Sequence, residues 1–321
     1  MSKSNELRLP TVLYQPRNQA GGENTAALND LQSPPKGNDM RNQTVLFIMN
    51  EATTDDEARQ IAARAAGQNS RLICLILSMV PTYPISSFGV LPYGSMDVAP
   101  GWAEEIAQQR KMLKKRSEAI QSILESEGTS GDVHAVSCVP SDVRSVVARR
   151  ALVCDAATAS QSLRDDDPDA FHAAVNGVLF ESPIPLVLNG TPLDQPECVF
   201  LAWNTELPAS RAAHAALPML KAAKEVIIGS FDPIATELQD GENPGSDLAK
   251  WLSHQGCTVT INQYPSGGEE IGACIRHRAT EVGADLVVMG AFGRSRLQQF
   301  VFGGTTRSMT EQTAVKVLMA H

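Results

Sequence analysis

From residue 44 onward, short apolar runs alternate with longer stretches in which apolar residues recur every three or four positions. The run Thr-Val-Leu-Phe-Ile-Met at 44–49 predicts a strand, and residues 55–66, acidic at their start, predict a helix whose dipole those charges suit. A second strand is expected at 72–80, then a Pro-, Gly- and aromatic-rich loop at 81–102 and a long helix at 103–127. Ile106, Leu113, Ile120 and Leu124 share one face of that helix, the spacing of an element packed on a sheet. Strands at 133–139, 155–160 and 184–188, with helices at 142–151 and 169–180, complete the first series.

The same order then repeats. Strands are predicted at 198–203, 225–231, 258–264, 285–289 and 315–319, with helices at 209–223, 246–254 and 269–282 between them. Placing Asp155 over Asp285 leaves 35 residues to Gly190 in one series and 36 to His321 in the other, which points to an internal duplication. Alternating strands and helices argue for parallel sheets covered on both faces. The expected fold class is therefore α/β, two doubly wound, Rossmann-like parallel-sheet domains in tandem, at 43–190 and 196–321. Residues 1–42, rich in Asn, Gln, Gly, Ser and Pro and without periodicity, read as a flexible extension.

The final segment carries the candidate chemistry. The run Leu286-Val-Val-Met289 ends in Gly290-Ala-Phe-Gly293, and a short amphipathic stretch leads to Gly303-Gly-Thr-Thr306. A strand, a glycine turn and a glycine-and-hydroxyl turn opening a helix make a ready anion site, because backbone N–H groups are exposed there. The chemistry suggested is phosphate or nucleotide holding without an evident catalytic group.

Composition narrows the field. With 321 residues, 43% hydrophobic and 20% charged, the chain can form two globular domains. A net charge of −9 argues against general nucleic-acid binding, which needs a basic surface. The basic cluster Arg110, Lys111, Lys114, Lys115 and Arg116 lies among glutamates and reads as a solvated helix face. No apolar stretch approaches a membrane span, and the start lacks an apolar signal core, so a cytoplasmic location is expected. The six cysteines form no C-x-x-C pair, and Cys74, Cys138, Cys198 and Cys257, within or beside predicted strands, read as small buried hydrophobes; six scattered histidines form no metal-ligand helix. There is no nucleophile elbow, P-loop or dinucleotide fingerprint, so a binding role is favoured over an enzymatic one.

These residues make the second series resemble the universal stress protein family, and the whole chain a tandem member of it. The family's nucleotide motif is a glycine, two residues, a glycine, nine residues, a glycine, then serine or threonine. Gly290, Gly293 and Gly303 keep that spacing; Gly304 stands at the hydroxyl position, with Thr305 and Thr306 after it. Asn204 stands where a first-strand aspartate is common. The first series shares the architecture and lacks the glycines, with Ser160 in place of the first.

The resemblance implies a stress-response regulatory or protective protein holding ATP, or another adenine nucleotide, between the first and fourth strands of its second domain. Asn204 and Thr205 would lie at the adenosine end, Met289, Gly290, Phe292 and Gly293 would form the wall and first turn, and Gly303, Gly304, Thr305 and Thr306 would face the phosphates. Arg294, Arg296 and Arg307 would offset phosphate charge; magnesium would be held through phosphate oxygens, no protein carboxylate being dedicated to it. Trp203 has two readings, a stacking partner for adenine or a buried strand-end aromatic. The first domain would pack on the second as an intramolecular pseudo-dimer through edge strands 184–188 and 315–319, homodimerisation being a further step, and no protein partner is specified. Two other functions stay open: a nucleotide-free assembly scaffold of the same fold, and a weak ATP hydrolase or self-phosphorylating protein with Thr305 or Thr306 as acceptor.

Overall fold

The computed structural model describes residues 42–80, 101–293 and 304–321. The extension expected at 1–42, but for its last residue, most of the loop expected at 81–102, and Arg294, Arg296 and Gly303 lie outside the described residues. The described residues belong to a unit running from Asn38 to His321.

The first series folds as β1 (Thr44–Asn50), α1 (Asp55–Gly67), β2 (Arg71–Met79), α2 (Trp102–Ser126), β3 (Gly131–Cys138), α3 (Val143–Ala151), β4 (Ala156–Ala159), α4 (Gln161–Asp166), α5 (Pro168–Glu181) and β5 (Leu186–Leu188). The second follows as β6 (Cys198–Ala202), α6 (Leu207–Ala215), α7 (Leu217–Ala222), β7 (Glu225–Phe231), α8 (Ser246–His254), β8 (Val259–Tyr264), α9 (Ile271–Glu281), β9 (Leu286–Gly290), α10 (Gly304–Glu311) and β10 (Val317–Ala320). All ten strands join one sheet in the order β3-β2-β1-β4-β5-β10-β9-β6-β7-β8. Each half is parallel, and the halves meet at an antiparallel seam where Leu188, Val187 and Leu186 pair with Val317, Leu318 and Met319. The parallel-sheet class expected from the sequence therefore holds, and the edge strands expected to meet, at 184–188 and 315–319, pair and join the two sheets.

The central strands read as unbroken apolar runs because helices cover both faces. Val45 through Met49 and Leu72 through Leu77 are almost wholly inaccessible to solvent. The outermost strands β3 and β8 alternate partly buried and exposed positions and carry polar residues, as edges must. On one face a core runs across the seam, from Leu46 and Leu75 through Leu186 and Val317 to Val287 and Ile275. On the other face the core is divided, one cluster under α1 and α2 and another under α6, α7 and α8.

The two series share a concrete signature. The Asp155 carboxylate accepts the N–H of Thr44 at 2.7 Å, tying the start of β4 to that of β1. Asp285 does the same in the second half, accepting from Glu197 N at 2.9 Å and Cys198 N at 3.1 Å. Asp285 is thus a strand-start acceptor.

Two local expectations are corrected. The single helix expected at 209–223 is two, α6 and α7, because Pro218 in the first turn of α7 cannot donate to a continuing helix. A short helix absent from the sequence reading, α4, follows β4 at once, because the Ser160 hydroxyl accepts from Leu163 N at 3.2 Å as its N-cap. Among the described residues no helix is long and apolar enough to cross a membrane, and no group of three or more metal-ligating side chains gathers.

Candidate functional site

In the second half the chain leaves β6 toward β7 on one side and meets β9 on the other, so a crevice is expected beyond the carboxyl ends of these strands. A cavity of about 480 Å³ lies there, within the range of small-molecule sites. Its apolar wall is Trp203, Phe231, Ile271, Ile275, Met289 and Phe292, and its polar groups come from Asn204, Glu206, Thr305 and Thr306. Glu206 is its one charged lining residue among the described residues.

Of the residues expected from the sequence, Asn204, Met289, Gly290, Phe292, Gly293, Thr305 and Thr306 are brought together around this cavity. Thr205 is turned elsewhere: its hydroxyl donates to Asp240 at 2.8 Å, and it lines a neighbouring hollow with Glu237 and Glu242. Gly304 is the exposed first residue of α10 and does not line the cavity. Arg307 lies in an exposed ion pair with Glu311, one turn along its own helix. Trp203 lines both hollows.

The glycines serve the fold as well as the cavity. A Cβ on Gly290 would meet the backbone of Pro208 and Ala209, so its bareness lets the start of α6 lie against the end of β9. Phe292 takes a left-handed φ of 56°, uncommon for a bulky residue, and is held there on two sides. Its N–H donates to the buried Thr306 hydroxyl at 3.1 Å, and its ring packs on Phe180 of α5 at 4.3 Å between centroids. His321 closes this cluster, 4.9 Å from the Phe180 ring, with its Nδ1 3.0 Å from the Ala291 carbonyl oxygen. The turn beside the cavity is thereby tied to a helix of the other half of the sheet.

Two carboxylates flank the glycines. Glu206 is the N-cap residue of α6, yet its side chain caps none of that helix's N–H groups. It lies across at Gly293, where a Cβ would fall on its carboxylate. Glu270 accepts from Gly272 N and Ala273 N, each at 2.8 Å, and so caps α9; its Oε1 stands 4.0 Å from the Cβ position of Gly304. Beyond the cavity wall, hydrogen bonds from the Ser266 hydroxyl and N–H hold the Asp232 carboxyl below its ordinary range.

Glu206, Phe231, Ile271 and Ile275 were not anticipated. Pro208 in the first helical turn marks Glu206 as a cap, and Ile271 and Ile275 share a helix face at i and i+4, so both signals were present in the sequence. What was missing was the distance from Glu206 to Gly293, 87 positions later in the chain.

The fold and site define a doubly wound α/β protein with a crevice at a topological switch point. Residues 268–321 match the family model described as Universal stress protein family. A solved universal stress protein from Archaeoglobus fulgidus DSM 4304 superposes with a TM-score of 0.58 at 12% identity, covering 86% of this chain and 97% of that one. A candidate universal stress protein from Pseudomonas aeruginosa UCBPP-PA14 gives 0.52 at 16% identity, covering 87% and 92%. No curated protein sequence matches the chain. The resemblance to universal stress proteins therefore holds, by sequence in the final segment and by fold across both halves.

Proposed function

We propose that this chain is a cytoplasmic tandem universal stress protein, a regulatory or protective module whose second half takes an adenine ligand, ATP in the family's manner or a relative of it. The observation that carries this reading is the cavity beyond β6 and β9, which gathers seven of the ten residues assigned to a nucleotide site from the sequence alone: Asn204, Met289, Gly290, Phe292, Gly293, Thr305 and Thr306. An apolar wall of Phe231, Ile271, Ile275 and Met289 suits the flat face of a purine, and the Asn204 amide can both donate to and accept from a base or ribose. Magnesium would enter only with phosphate oxygens. The antiparallel pairing of β5 with β10 supports the reading of the two halves as an intramolecular pseudo-dimer.

Calorimetric titration of the full chain with adenosine and with ATP plus magnesium tests the proposal. Saturable heat is expected, lost in a Gly293→Val variant whose circular dichroism is unchanged. Absence of heat with both ligands at millimolar concentration would favour the nucleotide-free scaffold. That second reading draws support from the Phe292 N–H, already engaged by Thr306. For self-phosphorylation, Thr305 is the better acceptor, since Thr306 is buried and its oxygen is bound.

A further inference from the structure

We propose that the first half holds a ligand site of its own, between α1, the end of β4 and the segment after β5, and that it takes a small oxyanion, a phosphate or carboxylate group, on Arg64 and Arg164. The proposal does not depend on the adenine reading. The hollow there, about 300 Å³, is at the small end of ligand sites. It is a different place from the cavity of the second half. There α6 packs across β9 and β10, whereas α1 lies toward β2 and α2 and leaves room beside β4 and β5.

Arg164 of α4, partly buried, carries the argument. A guanidinium has five N–H donors. Both hydrogen bonds of Arg164 leave from Nη1, to Asn189 Oδ1 at 2.6 Å and to the Gln312 carbonyl oxygen at 3.2 Å, and both acceptors are neutral. Its Nε is buried without an acceptor, and among the described residues no carboxylate stands within ion-pair distance of it. The group rests over the Phe171 ring, 4.8 Å from its centroid, which fixes its orientation. Burial pulls its pKa below the ordinary arginine value, and the Asp165 charge offsets only part of that. A charge withdrawn from water ordinarily has an ionic partner; an oxyanion in the hollow would be that partner, with Nη2 left to donate.

Arg64 brings a second positive charge from α1. Its nearest carboxylate, Asp194 at 3.5 Å, is shared with Lys316 at 2.9 Å. Against the two arginines the lining sets one carboxylate, Glu57. That group accepts the Gln161 N–H at 3.0 Å, and burial pushes its pKa up, which disfavours its charge. Thr313, from the segment before β10, also lines the hollow, so a bound anion would stand against both halves.

The test titrates the full chain with inorganic phosphate and with malonate by calorimetry at low ionic strength, where screening is weakest. Saturable binding of at least one anion is expected, the tighter of the two identifying the group the site prefers. Arg164→Gln should weaken that binding at least about tenfold and Arg64→Gln about fivefold, the loss of a charge-assisted hydrogen bond in each case. Amide exchange at 187–191 and 312–315 should slow when the anion is present, since Arg164 holds both segments. If Arg164→Gln loses its circular dichroism, Arg64→Gln decides alone, its native side chain being half exposed. No saturable heat from either anion at tens of millimolar would overturn the proposal and leave Arg164 a strut between α4 and the segment before β10. Binding that a folded Arg64→Gln leaves unchanged would place the anion elsewhere and overturn it as well.

Discussion

Strands β4 and β9 hold the same place in the two halves of the sheet, each beside the first strand of its half, yet the chain leaves them by different routes. After β4, Ser160 caps α4 and its hydroxyl also accepts from the Thr53 hydroxyl at 2.9 Å. After β9, which ends at Gly290, Ala291 leads to Phe292 in a left-handed turn, and no helix starts among the described residues 291–293. The companion helices differ accordingly. With no Cβ at Gly290, α6 packs across β9 and β10, whereas α1 lies toward β2 and α2. A hollow of about 300 Å³ in the first half lies between α1, the end of β4 and the segment after β5, lined by Arg64, Arg164, Glu57 and Asn189. The lesson is that one side-chain carbon at the end of the fourth strand helps decide where a half can hold a cavity.

The sharpest way to break this comparison is to give the second half the first half's carbon. Gly290→Val would push on the Pro208 and Ala209 backbone, which cannot swing aside as a side chain can, and is expected to cost about 3 kcal/mol, at the upper end of overpacking effects. Urea denaturation reads this out; a loss under about 1 kcal/mol would show that α6 can retreat, as α1 has done. Next in size is Phe180→Ala, which removes the ring joining the Phe292 turn to α5. Because Phe180 is only partly buried, about 2 kcal/mol is expected rather than the full core value, with faster amide exchange at Phe292 and Gly293.

Thr306→Val should cost about 1–2 kcal/mol by leaving the Phe292 N–H without its acceptor, again measurable in urea. Ser160→Ala, at the position of the first half that corresponds to Gly290, is expected to cost about 1 kcal/mol through loss of a helix cap, and to leave ligand binding in the second half unchanged. Ligand heat altered by Ser160→Ala would mean that the halves are coupled beyond their shared core.

The smallest effect concerns pH. Cys74 of β2 sits in the register position that Ile228 holds in β7, opposite Phe47 and Leu201 respectively. Burial pushes its thiol up to about 12, whereas in an unfolded chain it ionises near about 8.5. The folded state then keeps a proton that the unfolded state gives up. Its contribution to stability is fully present below about pH 8.5 and is lost as pH rises toward the folded value of about 12. Alkylation at pH 8 followed by mass spectrometry should leave Cys74 unlabelled until denaturant is added. Rapid labelling of the native protein would contradict its burial.

How much was legible in the sequence can be followed through particular residues. Asp155 and Asp285 were matched by spacing alone, and the structure gives both the same bond to the start of a first strand. Gly290 was legible as a glycine that mattered, but its close neighbour is the α6 backbone, which a strand-turn-helix pattern does not name. Thr205 was placed at the site by adjacency to Asn204 and proves to point to Asp240 instead, because neighbours just past a strand need not share a direction.

Periodicity, the succession of strands and helices along the chain and the glycine spacing are written locally, since hydrophobic pattern and backbone freedom act over a few residues, and the sequence by itself determined them. Which groups stand over Gly293 and Gly304, and that Phe180 braces Phe292, are contacts between residues far apart in the chain. Only tertiary packing decided those, because a carboxylate's effect depends on distance, and sequence carries no distance until the chain has folded.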